Sequence, residues 1–485
     1  MKNKNLNPED AVDQLIALHD TATRALKAAL DTYFDKRIAP KPEDRAKFCY
    51  PELRVTYTSH GLQPSIMRAY AKFQGPGLYV TTITQPSHFK RYLVAQLKHL
   101  VSDYDATIDV GISKQEIPYP YVLESGNDLG KGDVTAAELA LHFPIPQLAL
   151  VGDEIADGQW EQSNGNPLPL ALFDAVRIDY SLKRLQHYTG VHWKHVQPWI
   201  LLTNYHRYVD QFIRWSIEQL DKTSPYDALH LPGGGTLTRG MSKSDIDKIL
   251  GASQWHKFQM PAYHLSRDDG EGGVTLVNIG VGPSNAKNMT DHLAVLRPHC
   301  WLMIGHCGGL RQSQRIGDYV LAHAYLRQDH ILDSVLPTEI PIPALAEVQL
   351  ALQYAAAEVT GETGEALKSR LRTGTVVTYD DRNWELHWSQ ERKRINLSRA
   401  IAVDMESGTL AAQGYRFRVP YGTLLCVSDK PLHGEIKLPG AANAFYDRAV
   451  AEHLMIGLAS IDKLRASREG LHSRKLRSFD EPPFR

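Results

Sequence analysis

The sequence predicts an α/β fold in which a larger domain is built around a mainly parallel mixed sheet and a smaller α+β domain precedes it. From about Trp199 onward, short apolar runs alternate with helical patterns, which is typical of βαβ units. The segment before it mixes a few strand-like runs with two long amphipathic helices. The chain has 485 residues, too many for one ordinary hydrophobic core, so we expect two domains.

Composition excludes several classes of protein. The chain is 43% hydrophobic and 22% charged, as in an ordinary soluble globular protein. Its formal net charge of −1 excludes a general attraction to nucleic acid or to an anionic membrane, so neither is an expected partner. The N-terminus has no apolar signal region and no apolar run reaches the length of a membrane span, so the expected location is the cytoplasm. The four cysteines show no metal-ligand spacing, and we expect free thiols and no metal site.

The predicted N-terminal α+β domain spans residues 1–160 and shows no catalytic constellation. It opens with a helix that Asn7 should cap and that should end near Asp35. The polar run Asp157–Pro167 is rich in turn residues and is the expected linker. The larger domain is expected over 171–466, followed by a C-terminal tail at 467–485.

Two apolar runs each deliver an acidic residue where a strand should end. They are Ala402–Glu406 and Leu424–Asp429. Enzymes with open α/β sheets place their chemistry at the carboxyl edge of the strands, so Glu406 and Asp429 are candidate functional acids. Taken singly, a solvated acid at a helix start and a turn cap are the commoner explanations. Chemistry is favoured because four apolar strands in this half of the chain end in polar or glycine-rich turns.

A third candidate lies where Trp199–Thr203 should turn into a helix. Asn204 stands at the expected N-cap position and Arg207 in the first turn. Free backbone N–H groups at a helix start, together with an arginine, can bind an anion. An ordinary capped helix with a surface arginine is the alternative.

A glycine-rich turn follows the predicted strand that ends at Asn278. Gly280 and Gly282 would allow close approach of the backbone, and Ser284 would cap the next helix. It is not a dinucleotide fingerprint, because Asn285 stands where the third glycine should be.

A second glycine-rich stretch, Gly305–Gly309, directly follows an apolar strand. Three glycines around His306 predict a backbone cradle, in which His306 is a base, a phosphate donor or a structural residue. A nucleophilic pair of Cys307 with His306 is disfavoured, because adjacent residues of an extended segment point to opposite faces.

Together these motifs resemble the nucleoside phosphorylase and nucleosidase superfamily, whose fold is a three-layer α/β domain. The matching segments keep the order and spacing of the family over about 199–465. They are Thr203–Arg207, Gly280–Asn285, Gly305–Gly309, Ile316–Asp318, Asp404–Glu406 and Ser428–Asp429.

The long N-terminal domain and three further runs look like the AMP nucleosidase family within that superfamily. These runs are Asn278–Lys287, Ser428–Lys437 and His472–Arg477. The resemblance implies hydrolysis of AMP to adenine and ribose 5-phosphate in purine salvage. It also implies a homohexamer whose N-terminal domain tunes activity, with ATP, as Mg-ATP, as allosteric activator and phosphate as inhibitor. No cofactor is needed for the chemistry.

The resemblance assigns roles to the candidate residues. A protonated Asp429, favoured by burial at the end of an apolar strand, would act as acid to the leaving base at its N7 atom. Glu406 would hold the ribose hydroxyls and favour a positively charged sugar, with Met405 as an apolar surface beneath it. The remaining predicted substrate-binding residues are Asn204, Arg207, Gly305, His306 and Ser428.

Two departures from the family pattern bear on the reaction. Phosphorylases usually carry an arginine just before the glycine cradle, where this chain has Met303, and this favours water over phosphate as nucleophile. Hydrolytic relatives often carry a glutamate in the first turn after Asn204, whereas this chain has none there, so no residue is assigned to activate the water. The 5′-phosphate could be held by one or more of Arg207, Arg311, Lys430, His433 and Lys437.

Two other functions remain open on the sequence. One is a phosphorylase of nucleotides or nucleosides. The other is a nucleotide-binding regulatory protein that has lost catalysis, which the presence of both Asp429 and Glu406 disfavours.

Overall fold

The structure is a computed structural model that describes residues 5–58, 68–123, 134–161, 166–221, 223–267, 269–270, 272–435, 443–471 and 476–485. It has two compact units, Met1–Lys183 with Arg477–Arg485, and Arg184–Leu476. The division falls inside a helix, Ala175–Thr189, and not in the polar run Asp157–Pro167, part of which lies outside the described residues. The end of the expected tail belongs to the first unit, because the backbone N–H of Phe484 donates to the carbonyl of Leu170 at 3.0 Å.

The first unit is an α+β fold whose sheet has the strand order β3-β1-β2-β4. Only β2 and β4 pair in parallel; the other neighbours are antiparallel. The predicted first helix is confirmed, because the Asn7 side chain accepts the N–H of Asp10 at 2.8 Å. The elements are α1 (Pro8–Lys36), β1 (Cys49–Tyr57), β2 (Gly77–Thr82), α2 (Lys90–Tyr104), β3 (Thr107–Glu116), α3 (Tyr119–Val122), α4 (Ala136–His142), β4 (Leu168–Pro169) and α5 (Ala175–Thr189), which continues into the second unit.

The second unit alternates strands and helices, as the sequence predicts. Its first half contains β5 (Trp199–Thr203), α6 (His206–Asp221), β6 (Tyr226–His230), β7 (Thr236–Thr238), α7 (Lys243–Ala252), β8 (Ala262–Arg267), β9 (Val274–Asn278) and α8 (Pro283–Leu293). Its second half contains β10 (Cys300–Gly309), β11 (Tyr319–Gln328), α9 (Ala346–Thr360), α10 (Gly364–Arg370), β12 (Leu371–Tyr379), α11 (Trp388–Ser398), β13 (Ala402–Asp404), α12 (Ser407–Phe417), β14 (Tyr421–Asp429), α13 (Asn443–Ala466) and α14 (Arg468–Leu471).

These strands form one mixed sheet of order β13-β12-β11-β14-β10-β5-β9-β8-β6-β7. The central neighbours β14, β10, β5 and β9 run parallel. The end of β10 also pairs with β13, with Gly308 opposite Val403. Strands β10, β14, β11, β12 and β13 therefore close into a ring. The mixed α/β sheet predicted from the sequence is confirmed.

Helices cover both faces of this sheet. The indole N–H of Trp301 donates to the carbonyl of Leu410 on α12 at 3.1 Å, whereas Ile304 packs against Gly457 on α13. Residues three apart on a strand point to opposite faces, so α12 and α13 lie on different sides. The three-layer arrangement is therefore present. No helix within the described ranges is both long and apolar enough to cross a membrane.

The parallel register brings the strand ends of interest to one edge. Thr203 of β5 lies opposite Asn278 of β9, and Gly308 of β10 lies opposite Asp429 of β14. Strand β13 reaches the same place from the opposite direction, beside the end of β10. The turns that follow β5, β9, β10, β13 and β14 therefore meet at this edge.

Candidate active site

Glu406 lies at the centre of this edge. It is the N-cap residue of α12 and has no exposed surface. The Asn204 side-chain amide donates to its Oε2 at 2.8 Å, and the backbone N–H of Gly282 donates to its Oε1 at 2.6 Å. Two N–H donors, one on each oxygen, suit the ionised carboxylate. Burial, and then the charge of Asp404, raise the pKa of Glu406 above its usual range.

Asn204 does not have its predicted helix-capping role. Helix α6 begins at His206, and the Asn204 side chain instead reaches Glu406. A capping assignment from sequence considers only partners within a few residues, whereas the partner here is 202 positions away. Asn204 therefore meets Glu406 at this sheet edge through a contact that the sequence does not predict.

The turn after β9 presents a backbone donor to the site. Gly280 and Gly282 have φ angles of 68° and 112°, in the region that favours glycine. Gly282 is the N-cap of α8 and Ser284 lies inside the helix, so the predicted cap at Ser284 is wrong. The left-handed backbone of Gly282 directs its N–H at Glu406.

The predicted cradle Gly305–Gly309 does not follow the strand but is part of it, because β10 continues to Gly309. Glycine is needed at these positions because side chains from neighbouring elements pack directly against the strand backbone. A Cβ on Gly305 would lie 2.7 Å from Met303 Cε and 2.8 Å from Asn204 Oδ1. A Cβ on Gly308 or Gly309 would meet Val403 or Val427 at 3.0 or 2.9 Å. The glycines therefore let β13, β14 and Asn204 pack against β10.

The ring of His306 lies near two tyrosines, one that directly precedes α6 and one in its first turn. Its ring centroid is 4.9 Å from that of Tyr205 and 5.6 Å from that of Tyr208. The guanidinium carbon of Arg207 is 5.9 Å from the Tyr205 ring centroid. The structure thus brings His306 and Arg207 to the same group of aromatic rings. Cys307, the next residue on the strand, is buried.

Asp429 ends β14 and is half-buried, less buried than the sequence predicted, whereas the preceding Ser428 is buried. The Ser428 hydroxyl donates to Asp429 Oδ1 at 2.5 Å. The end of the strand is fixed by the predicted Gly-Asp motif. The N–H of Gly317 donates to the carbonyl of Val427, and the N–H of Val427 donates to the carbonyl of Asp318, both at 2.9 Å.

The candidates for a 5′-phosphate site fall into different environments. Lys430 is buried and forms an ion pair with Glu435. Its Cγ would lie 3.3 Å from a Cβ on Gly309, so this turn packs against the end of β10. His433 and Arg311 are exposed, with the His433 ring 3.3 Å from the carbonyl of Leu310. Lys437 and most of the tail motif His472–Arg477 lie outside the described residues.

One buried polar chain behind the site has no signal in the sequence. His453 Nε2 is 2.9 Å from the carbonyl of Leu424, which can only accept, so Nε2 carries the proton. Nδ1 of His453 therefore accepts from the Tyr208 hydroxyl at 2.6 Å. Burial lowers the pKa of His453 to about 3, so the ring is neutral. These hydrogen bonds tie the start of α6 to α13 and to β14.

The described part of the polypeptide contains no cluster of three or more His, Cys, Asp or Glu that could hold a metal ion.

Comparison with known proteins agrees with the class that the fold and site define. A sequence profile described as "Phosphorylase superfamily" matches residues 254–461, and one described as "Bacterial AMP nucleoside phosphorylase N-terminus" matches residues 10–167. The chain is therefore an enzyme of the phosphorylase superfamily with an additional N-terminal domain.

Full-length relatives narrow this assignment. The chain is 56% identical over 487 aligned residues to the AMP nucleosidases of Escherichia coli K12 and O157:H7, covering 100% of this chain and 99% of each relative. The chain belongs to the AMP nucleosidase family. It is also similar, with a TM-score of 0.43 and 25% identity over 60% of this chain and 98% of the other, to the crystal structure of AMP nucleosidase from Bacteroides thetaiotaomicron.

Proposed function

We propose that this enzyme hydrolyses the N-glycosidic bond of AMP to give adenine and ribose 5-phosphate, for purine salvage. The observation that carries the proposal is the buried Glu406 carboxylate, held by Asn204 and the Gly282 N–H at the sheet edge that also carries Asp429. Its full-length relatives at 56% identity are named AMP nucleosidase.

Breaking this bond leaves positive charge on the ribose and negative charge on the purine. Asp429 neutralises the leaving adenine by donating a proton to its N7 atom, which is general acid catalysis. The Ser428 hydroxyl lies 2.5 Å from Oδ1 of Asp429 and 3.2 Å from the carbonyl of Cys307, so it ties this carboxyl group to β10. Ser428 in this way orients the acid toward the base.

Glu406 serves the sugar. Its oxygens accept the ribose hydroxyls in addition to the two N–H donors that fix them, and its negative charge favours the oxocarbenium-like sugar of the transition state. Met405, which precedes it and is half-buried, provides a soft apolar surface beneath the ribose.

Water, not phosphate, is the proposed nucleophile. The buried Met303 side chain packs against Gly305, where family phosphorylases place a cation just before the cradle. Arg207, Gly305 and His306 form the proposed anion-binding region, with Lys430, His433 and Arg311 as additional candidates for the 5′-phosphate. Arg207 lies in the first turn of α6 and Lys430 directly follows β14, so charge-neutral variants of each, assayed on AMP and adenosine, test the two positions separately.

The test of the reaction is product analysis with AMP and adenosine, each with and without phosphate. Free adenine and ribose 5-phosphate from AMP in phosphate-free buffer are expected. Ribose 1,5-bisphosphate formed only when phosphate is present would show a phosphorylase instead. Tight AMP binding without turnover under every effector condition would show a regulatory protein.

The role of the acid is tested by Asp429→Asn. The variant should fold and bind AMP but lose a factor of about 10² or more in kcat, as expected for removal of a general acid. Asp462→Asn, at an exposed carboxylate on α13, is the matched control and should keep its full rate. Near-complete activity of Asp429→Asn would show that the acid lies elsewhere.

Regulation and assembly follow the same family pattern. We propose a cytoplasmic homohexamer that Mg-ATP activates and phosphate inhibits, with the N-terminal unit tuning the response. Light scattering gives the mass of the assembly in units of the 54.4 kDa chain. Rates measured across Mg-ATP and phosphate concentrations test the effectors, and a monomer with no response to either would refute this part.

A further inference from the structure

The helix that carries Glu406 is not capped by Glu406. Glu406 occupies the N-cap position with φ −134° and ψ −35°, yet its side chain accepts no N–H from the first turn of α12. Its carboxylate is turned away to Asn204 and Gly282. The first N–H groups of a helix need acceptors when they are buried, so other residues must provide them.

Asp404 and Thr378 provide these acceptors from neighbouring strands. The N–H of Ser407 donates to Asp404 Oδ2 at 2.8 Å, and the Ser407 hydroxyl donates to the same oxygen. The N–H of Gly408 donates to Thr378 Oγ1 at 2.7 Å, and that hydroxyl donates to Asp404 Oδ1 at 2.7 Å. Asp404 therefore stands where the side chain of an N-cap residue would normally act.

The arrangement leaves two carboxylates in one buried turn. Asp404 is 5% exposed and Glu406 0%, so solvent screens neither from the other. Burial raises the pKa of Asp404, and its hydrogen bonds to Ser407 and Thr378 oppose this rise. Asp404 in turn adds to the effect of burial on Glu406.

We propose that Asp404 is a positioning residue, which caps α12 in place of Glu406, leaves the Glu406 side chain available for the ribose, and places a second acidic group in the same buried turn. The inference rests on the proposed function, in which Glu406 is the ribose ligand. The Asp404 side chain itself is turned toward the start of α12.

Other titratable and charged groups lie on the elements around this turn. Strand β11 contributes Tyr325, whose pKa is raised by burial and by Asp404, and Arg327, whose Cγ lies 3.4 Å from a Cβ on Gly408. Just beyond β11, Asp329 accepts the Thr409 hydroxyl. The other neighbours are Lys287 and Asp291 of α8, an ion pair that meets Gln413 of α12, and His206 of α6, which contacts Asn278.

The charge of Asp404 affects how activity depends on pH. Ribose binding needs Glu406 ionised, and its raised pKa makes activity fall as the pH falls through that pKa. Removing the Asp404 charge lowers the Glu406 pKa, so the acid limb of kcat/KM must move to lower pH. Loss of a nearby like charge moves it by about one pH unit or more.

The experiment is the pH profile of kcat/KM for AMP in Asp404→Asn, with Asp404→Glu and Ser407→Ala as controls. Asp404→Asn should have a displaced acid limb and, well above it, about a tenfold lower kcat/KM, because its amide opposes the Ser407 donors. Asp404→Glu and Ser407→Ala keep the charge at 404 and should keep the acid limb in place. Ionisation of the AMP phosphate is common to all variants and cancels in the comparison.

An acid limb of Asp404→Asn that coincides with wild type, with activity reduced equally at every pH, would overturn the inference and make Asp404 purely structural. If Asp404→Asn does not fold, the same pH profile is measured on Asp404→Ser, in which the new side chain is neutral but can still cap the helix. Glu406→Gln separates the two proposals. Full activity of Glu406→Gln refutes the ribose role itself, whereas an inactive Glu406→Gln with an undisplaced Asp404→Asn refutes only the role of Asp404.

Discussion

Replacing Asn204 by alanine tests whether the site depends on the contact between β5 and α12. The substitution removes the amide that donates to Glu406 Oε2 at 2.8 Å and leaves the Gly282 N–H as the remaining donor identified on that carboxylate. It also removes the Oδ1 atom that packs against Gly305. Glu406 has no exposed surface, so the lost donor is not simply exchanged for bulk water.

The expected size of the effect follows from the type of bond. A hydrogen bond to a charged group contributes about 1.5–3 kcal/mol, and each 1.4 kcal/mol corresponds to roughly a tenfold change. We therefore expect kcat/KM for AMP to fall about 10- to 100-fold in Asn204→Ala. The Asn204 bond also lowers the pKa of Glu406, so its loss moves the acid limb to higher pH, opposite to the shift expected for Asp404→Asn.

Asn204→Asp is the matched variant, since it keeps the size of the side chain and exchanges the donor for a second carboxylate. Two carboxylates at this distance repel each other unless they share a proton. Its kcat/KM near neutral pH should fall below that of Asn204→Ala, and the deficit should narrow as the pH is lowered.

Initial rates of adenine release between pH 5 and 9 measure both variants, with thermal unfolding as the check on folding. A folded Asn204→Ala within about threefold of wild type would refute the view that this amide holds Glu406. An Asn204→Asp variant more active than Asn204→Ala at neutral pH would refute the electrostatic part of the argument.

Two further substitutions test the packing behind the site. Tyr208→Phe leaves the buried Nδ1 of His453 without its hydrogen-bond donor, so the free energy of unfolding should fall by about 1–3 kcal/mol. Urea titration measures this loss, and an unchanged unfolding midpoint would contradict the hydrogen bond between Tyr208 and His453. Gly422→Ala places a Cβ 2.4 Å from Val348 Cγ1 and should cost about 1–3 kcal/mol, whereas Gly251→Ala in α7 meets nothing within 4 Å and should be neutral or slightly stabilising.

The sequence predicts the positions of the strand ends well, because that prediction depends on local patterns. Apolar runs ending in Asn204, Gly280, Glu406 and Asp429 all lie at one sheet edge in the structure. The parallel direction of β14, β10, β5 and β9 follows from the alternation of strands and helices along the sequence. The cap of α1 was predictable for the same reason, because Asn7 and Asp10, which form its hydrogen bond, are close together in the sequence.

Contacts between distant residues are what the sequence does not show. Gly305–Gly309 was predicted as a backbone cradle that follows the strand, because three glycines surround His306. It is a strand, because Val403, Val427 and Asn204 cross it too closely for a Cβ. Tyr208 and His453 are 245 positions apart, and no spacing rule joins them.

The two acids of the site differ in what their surroundings allow. Glu406 is buried and accepts an N–H on each oxygen, and both bonds favour its ionised form, so this residue is suited to accept hydroxyl groups. Asp429 is half-buried, and its Oδ1 lies 2.5 Å from the Ser428 hydroxyl. These surroundings support the proposed division of roles, in which Asp429 protonates the leaving base and Glu406 places its negative charge beside the ribose.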